Sequence, residues 1–142
     1  MALPPNAYQQ WKESAPEVAT LEVLSAETQP SVSETAGTKV QLRRTEISVD
    51  VRARILTVER TATGLQPGAA IGLRYVHRPL IQQMMQDGKW VDVKMAGATP
   101  IPILEKGGKV TAWMRRLRDD EFEPAAEAES FVVEPAPAIK TD

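Results

Sequence analysis

The sequence has no cysteine, so neither a disulfide framework nor thiolate chemistry is open to it. It has one histidine, His77, and a triad or zinc site built on imidazole needs more partners than that. Beside Arg78 and Pro79, His77 reads as a surface or loop residue. Aromatic residues are scarce, at 5% of the chain. No apolar run approaches the ~20 residues that span a bilayer. The opening Met1-Ala2-Leu3-Pro4-Pro5 has neither a basic nor an apolar signal region. A proline-rich start before a loose acidic approach suits a mature periplasmic or secreted chain whose signal has been removed, and a cytoplasmic chain equally.

What is present is alternation. Ile47, Val49, Val51, Ala53 and Ile55 are apolar, and Ser48, Asp50, Arg52 and Arg54 stand between them. Period two is the signature of a strand with one dry face and one wet face. After Ile55 the phase slips, so that Leu56 and Val58 become the apolar positions. A one-residue slip moves the apolar set to the opposite face, and a bulge at Ile55–Leu56 resolves it. The slip predicts that both Ile55 and Leu56 are buried. Gly64-Leu65-Gln66-Pro67-Gly68 then makes a turn, and Ile71, Leu73 and Tyr75 a second alternating run.

The flanks are read in the same way. Asn6–Ser14 is expected to be a short helix after Pro4-Pro5. Val18–Leu24 is a first strand, and the polar run Ala26–Thr38 a loop. Leu80, Ile81, Met84 and Met85 recur at helical spacing, so Pro79–Asp87 is expected to be an inserted helix stopped by Gly88. Trp90–Met95, Val110–Leu117 and Ser130–Val133 are further strands. Ala136–Asp142 is expected to be disordered.

The 142 residues carry a net charge of −2, unevenly spread. Residues 1–38 hold one cation and five acids, residues 39–118 fifteen cations and six acids, and residues 119–142 one cation and eight acids. A basic body thus sits between two acidic stretches. The expected organisation is an N-terminal arm (1–17), a β domain (18–118) and an acidic, partly disordered C-terminal arm (119–142). The expected fold is all-β: a small OB-like barrel of five or six strands with one short inserted helix and flexible acidic arms.

The order of these signals resembles the opening of netrin-module and metalloproteinase-inhibitor-like OB-folds. The matching residues are Val51, Ala53, Ile55, Leu56, Val58 and Arg60, then Gly64, Leu65, Pro67 and Gly68, then Ile71, Leu73 and Tyr75. The resemblance covers about Val49–Tyr75, with an echo at Gly107–Met114, and implies the fold alone. Inhibitors of that type chelate a metal through an N-terminal cysteine, which this chain lacks, so no functional residue carries over.

No nucleophile, metal-ligand or phosphate-cradle pattern stands out. The Gly64–Gly68 turn lacks the Lys-Ser/Thr of a phosphate loop, and Asp119–Glu123 lacks the ligand spacing of a calcium loop. The reading that follows is a non-enzymatic protein-interaction module without cofactor or metal, a structural accessory subunit of a larger, extracytoplasmic assembly. Its candidate partner-binding residues are Tyr8, Trp11, Arg52, Arg54, Arg74, Trp90, Trp113 and Arg115. The alternative is a single-stranded nucleic-acid-binding OB-fold, in which the arginines follow the backbone and Tyr75, Trp90 and Trp113 stack on bases.

Overall fold

The structure, a computed structural model, describes residues 7–35 and 41–134. It is mostly β-strand, with one short α-helix. No helix among the described residues is long and apolar enough to cross a membrane. The elements in chain order are α1 (Ala7–Ser14), β1 (Glu17–Thr35), β2 (Leu42–Arg60), β3 (Ala70–His77), β4 (Ile81–Gln86), β5 (Lys89–Lys94), β6 (Lys109–Arg118), β7 (Glu121–Pro124) and β8 (Phe131–Val133), with a single 3-10 turn at Glu127–Glu129.

Five strands close on themselves. β1 pairs β6, β6 pairs β7, β7 pairs β3, β3 pairs β2, and β2 returns to β1. All these pairings are antiparallel except β3–β7, where Gly72 and Leu73 face Glu121 and Phe122 in parallel. Closure leaves the alternating apolar residues of all five strands facing one interior. Leu21, Val51, Ile55, Leu73, Met114 and Phe122 are its fully buried side chains of largest volume, together with Ile71 and Val110. The Thr61–Gly68 turn joins β2 to β3, with Gly64 and Gly68 at φ values of 82° and 91° that favour glycine.

The slip at Ile55–Leu56 is a bulge. Leu21 faces Ile55 and Thr20 faces Thr57, so Leu56 is an extra residue in β2. Two further irregularities bend the same ribbon, at Glu59 in β2 and at Leu24 in β1. The expected burial holds for Ile55, which is 1% exposed, but Leu56 is only half-buried. An inserted residue belongs to neither regular face, and Leu56 is not among the side chains packed on the interior. Ile55→Ala should therefore cost about 2–4 kcal/mol. Leu56→Ala should cost about 1 kcal/mol, and exposed Arg54→Ala within about 0.5 kcal/mol. Urea titration of the three variants checks the order; equal losses at Ile55 and Leu56 would contradict the half-exposed bulge.

Three sequence expectations are corrected. Pro79–Asp87 holds no helix: Ile81–Gln86 is strand β4, paired with β5 across a two-residue Asp87-Gly88 turn. Both turn residues have positive φ, 51° and 78°, as a tight hairpin turn demands. The polar run after Ala26 is not a loop; it continues β1 to Thr35, paired residue by residue with β2. Among the described residues the sheet has eight strands, five of which form the ring. The segment read as an acidic arm supplies β7 and β8, with Phe122 and Phe131 in the interior. The residues at Ala136–Asp142 and at Val40 lie outside the described range.

Past the ring, β1 and β2 run on together. The hairpin β4–β5 joins them there, so that β1, β2, β4 and β5 form a projecting platform, one sheet thick. β4 follows β3 along the same edge of β2, but the kink at Arg78–Leu80 breaks the ladder opposite Thr45. The side chain of Gln82 repairs it. Its Oε1 accepts the Thr45 N–H at 2.7 Å, and its Nε2 donates to the carbonyls of Thr45 and Pro79. Gln82 is buried, and its amide stands in for a missing backbone amide.

Candidate functional site

The wet faces of β1, β2, β3 and β7 lie side by side. Strict alternation sends Glu27, Asp50, Arg52, Arg74 and Glu121 to this one surface, since their backbone partners are neighbours across the sheet. An open groove of about 640 Å³ runs over it, with Glu27, Asp50, Arg74, Arg78, Glu123 and Glu127 as its charged lining. A smaller hollow of about 260 Å³ adjoins it at Arg52 and Gly72. Gly72 matters there because a Cβ would stand 3.2 Å from Arg52 Nη1, so the missing side chain leaves room for the guanidinium.

The two cations of the main groove, Arg74 and Arg78, are each held by a carboxylate. Arg74 Nε donates to Asp50 Oδ1 at 3.2 Å, and its Nη1 lies 3.7 Å from Glu121. Arg78 meets Glu46 at 3.2 Å, Arg54 meets Glu22 at 3.8 Å, and Arg115 meets Glu123 at 3.6 Å. Arg43 pairs with Glu34 at 3.0 Å and Arg118 with Glu121 at 3.1 Å. Five arginines of the basic body, Arg43, Arg54, Arg74, Arg115 and Arg118, thus meet carboxylates of the acidic flanks. Each of these pairs is partly solvated and contributes little to stability.

Of the residues singled out from sequence, Arg52 and Arg74 come together in this groove. The others do not join them. Tyr8 and Trp11 meet edge to face on α1, with ring centroids 5.5 Å apart, and Lys12 of the same helix stands 4.2 Å above the Trp113 ring on β6. Trp113 there packs against Ala15, Val18 and Ala125, so α1 is docked on the outside of the ring. Arg60 fixes its end by donating to the carbonyls of Lys12, Glu13 and Ala15. Trp90 lies on the platform, under the Arg43 guanidinium at 4.0 Å. Arg54 and Arg115 are held by their carboxylates, and Arg115 also donates to the Ala125 carbonyl.

Tyr75, expected to be free to stack, is part of the interior. Its ring packs on Phe131, its hydroxyl donates to the Pro102 carbonyl at 2.9 Å, and it accepts the Leu104 N–H at 3.0 Å. It pins the 95–104 segment across the end of the ring. His77 Nδ1 does the same beside it, donating to the Ile101 carbonyl at 2.7 Å. Burial pushes the Tyr75 hydroxyl up to about 12, partly offset by the Leu104 N–H. The folded state therefore favours the neutral phenol. That stability is complete below the ordinary value of 10.0 and is lost as pH rises through about 12. A shift of this size corresponds to about 2–3 kcal/mol. Urea midpoints at pH 8 and pH 12 should diverge more for the wild type than for Tyr75→Phe; equal divergence would remove Tyr75 as the cause.

Sequence reasoning passed over two positions. Glu17 is fully buried and holds the turn after β2, and Gln82 holds the platform to the ring. Neither sits in a recognisable motif, because each acts on backbone groups brought close only by folding. No group of three or more His, Asp or Glu side chains able to hold a metal ion occurs among the described residues.

No family model, curated protein or solved structure matches this chain. The functional reading therefore rests on the geometry alone.

Proposed function

We propose that this chain is a non-enzymatic protein-interaction module on an OB-like barrel, serving as an accessory subunit of a larger assembly. The five-stranded ring supports the OB-like reading, since that fold is a small, partly open five-stranded barrel. The observation that carries the interaction reading is the platform. A sheet must bury a face against another layer to gain stability from it, and this one projects beyond the ring as a single layer. On β1, Glu27–Thr35 is exposed at every position. A catalytic or small-ligand site calls for convergent polar groups in an enclosed pocket. The main groove is instead open, and its two cations, Arg74 and Arg78, are already held by carboxylates.

The nucleic-acid reading draws support from Arg52 and Arg74 in a shared groove. It gains none from the aromatics, which lie apart on α1, the platform and the interior. Two experiments separate the readings. Chemical cross-linking in the source cells, followed by purification of the tagged chain, should yield a defined protein partner, reduced by Trp90→Ala on the platform. Fluorescence anisotropy with labelled single-stranded oligonucleotides at low salt should show no binding. Tight, salt-sensitive oligonucleotide binding without a protein partner would reverse the assignment.

A further inference from the structure

We propose that the unpaired outer half of β3 is a strand-addition site for an extended, basic segment of a partner protein. The proposal rests on the interaction reading above and names the chemistry of one partner. The β3–β7 seam that closes the ring is short: Gly72 faces Glu121, Leu73 faces Phe122, and the pairing stops there. β3 itself runs on to His77, paired along its other edge with β2 as far as Ile47. Among the described residues, one edge of β3 is therefore without a neighbouring strand from Arg74 onward.

Proline sets the stop. Ile55 N–H donates to the Ala69 carbonyl at 2.8 Å, so the odd-numbered residues of β3 direct their backbone groups to β2. The even-numbered residues direct theirs the other way, and Gly72 N–H accordingly donates to the Asp120 carbonyl at 2.9 Å. Two residues on, the parallel ladder needs an N–H at position 124 to meet the Arg74 carbonyl. That position is Pro124, which has none. Beyond it the chain turns through Glu127–Glu129 and rejoins β6 as β8, not β3. The N–H and C=O of Val76 thus face the groove without a hydrogen-bond partner among the described residues. An extended backbone supplies a donor and an acceptor at the matching spacing.

Charge selects the segment. The groove beside this edge is lined by four carboxylates, those of Glu27, Asp50, Glu123 and Glu127, against the two guanidiniums of Arg74 and Arg78. Asp50 holds Arg74, Glu46 holds Arg78, and Glu123 meets Arg115. Glu27 and Glu127 are exposed and have no ion partner among the described residues. A Lys or Arg on the incoming strand gains a carboxylate there, whereas an acidic segment meets cations that are already held. Arg74 to Arg78 gives room for about five residues at ~3.3 Å rise. The outer edge of β5, at the end of the platform, is no rival: Lys89 and Lys94 bound it and repel a basic segment.

Hydrogen exchange of the full chain, read by NMR, tests the open edge. Val76 N–H should exchange at least about a hundredfold faster than Gly72 N–H, although both lie within β3. Equal protection of the two would mean that the edge is already paired, and overturns the proposal. A phage-displayed library of random peptides about ten residues long, selected on the full chain, supplies the probe. The enriched peptides should be rich in Lys, Arg and β-branched residues, and the most enriched one, made synthetically, should slow Val76 exchange when it binds. The double variant Glu27→Lys, Glu127→Lys, altered only at exposed positions, should keep its thermal midpoint and bind that peptide at least about tenfold more weakly. Enrichment of acidic peptides or of none, an unchanged affinity in the double variant, or binding that leaves Val76 exchange unaltered each overturns the proposal. A chain that fails in these ways yet still yields a cross-linked partner sensitive to Trp90→Ala overturns the strand-addition site and leaves the interaction reading standing.

Discussion

Glu17→Ala is expected to destabilise the protein by about 3–5 kcal/mol, close to the whole stability of many small domains. Glu17 is fully buried at the start of β1. Its carboxylate accepts from the Thr61 hydroxyl at 2.7 Å, the Thr63 hydroxyl at 2.9 Å, and the backbone N–H groups of Ala62 and Thr63. The Thr61 oxygen in turn accepts from Gly64 and Leu65 N–H, so one side chain organises the whole turn between β2 and β3. Hydrogen bonds to a carboxylate each contribute about 1.5–3 kcal/mol, and deleting the acceptor leaves its buried donors without a partner. Glu17→Gln keeps the shape but turns an amide NH₂ toward those donors, so it should recover little. Urea unfolding of both variants measures the loss. A Glu17→Ala midpoint within error of the wild type would mean that water or a rearranged turn replaces the carboxylate.

Phe122→Ala should cost about 3–5 kcal/mol, as deletion of a buried aromatic side chain does. Phe122 is the largest fully buried side chain, and it belongs to the strand that links β6 to β3. Its removal leaves a cavity where the ring closes, and both flanking pairings share the damage. Leu117→Ala, five residues earlier and 47% exposed, should stay within about 0.5 kcal/mol. Thermal unfolding of the pair distinguishes a structural C-terminal segment from a dispensable acidic one. Equal midpoints for Phe122→Ala and the wild type would make β7 an ornament of the ring.

The sequence made some of this legible, for identifiable reasons. Ile47 to Ile55 and Ile71 to Tyr75 have one buried face each, so alternation reports them directly. The slip at Leu56 marks a real bulge because an extra residue must break the period. β4 was hidden by coincidence: Leu80, Ile81, Met84 and Met85 satisfy a helical spacing too. The decisive signal was Asp87-Gly88, which reads as a helix stop or as a tight hairpin turn, and the turn reading is the one followed. The outer part of β1 was invisible because neither face is buried there, so burial imposes no pattern on its side chains. Acidic residues around Phe122 masked β7, whose four residues hold only one apolar position of weight. Of the candidate site, the grouping of Arg52 with Arg74 follows from period two. The carboxylates that hold Arg74, those of Asp50 and Glu121, come from distant parts of the chain, and only the fold brings them together.

β1 pairs with its immediate neighbour β2 and also with β6, where Leu21 faces Val110 about ninety residues downstream. These two partnerships differ in the time at which they become available. The β1–β2 hairpin spans a short stretch of chain and can form within microseconds of its synthesis. The seam with β6, and the parallel seam of β3 with β7, must wait until the last quarter of the chain has been made, several seconds later at ordinary elongation rates. Throughout that interval the interior faces of β1, β2 and β3 stand open as a curved, half-built sheet. The ribosome thus delivers the lock last, and the polar outer half of β1, with Pro30 removing one ladder donor from its edge, is what keeps the waiting hairpin from pairing with a stranger.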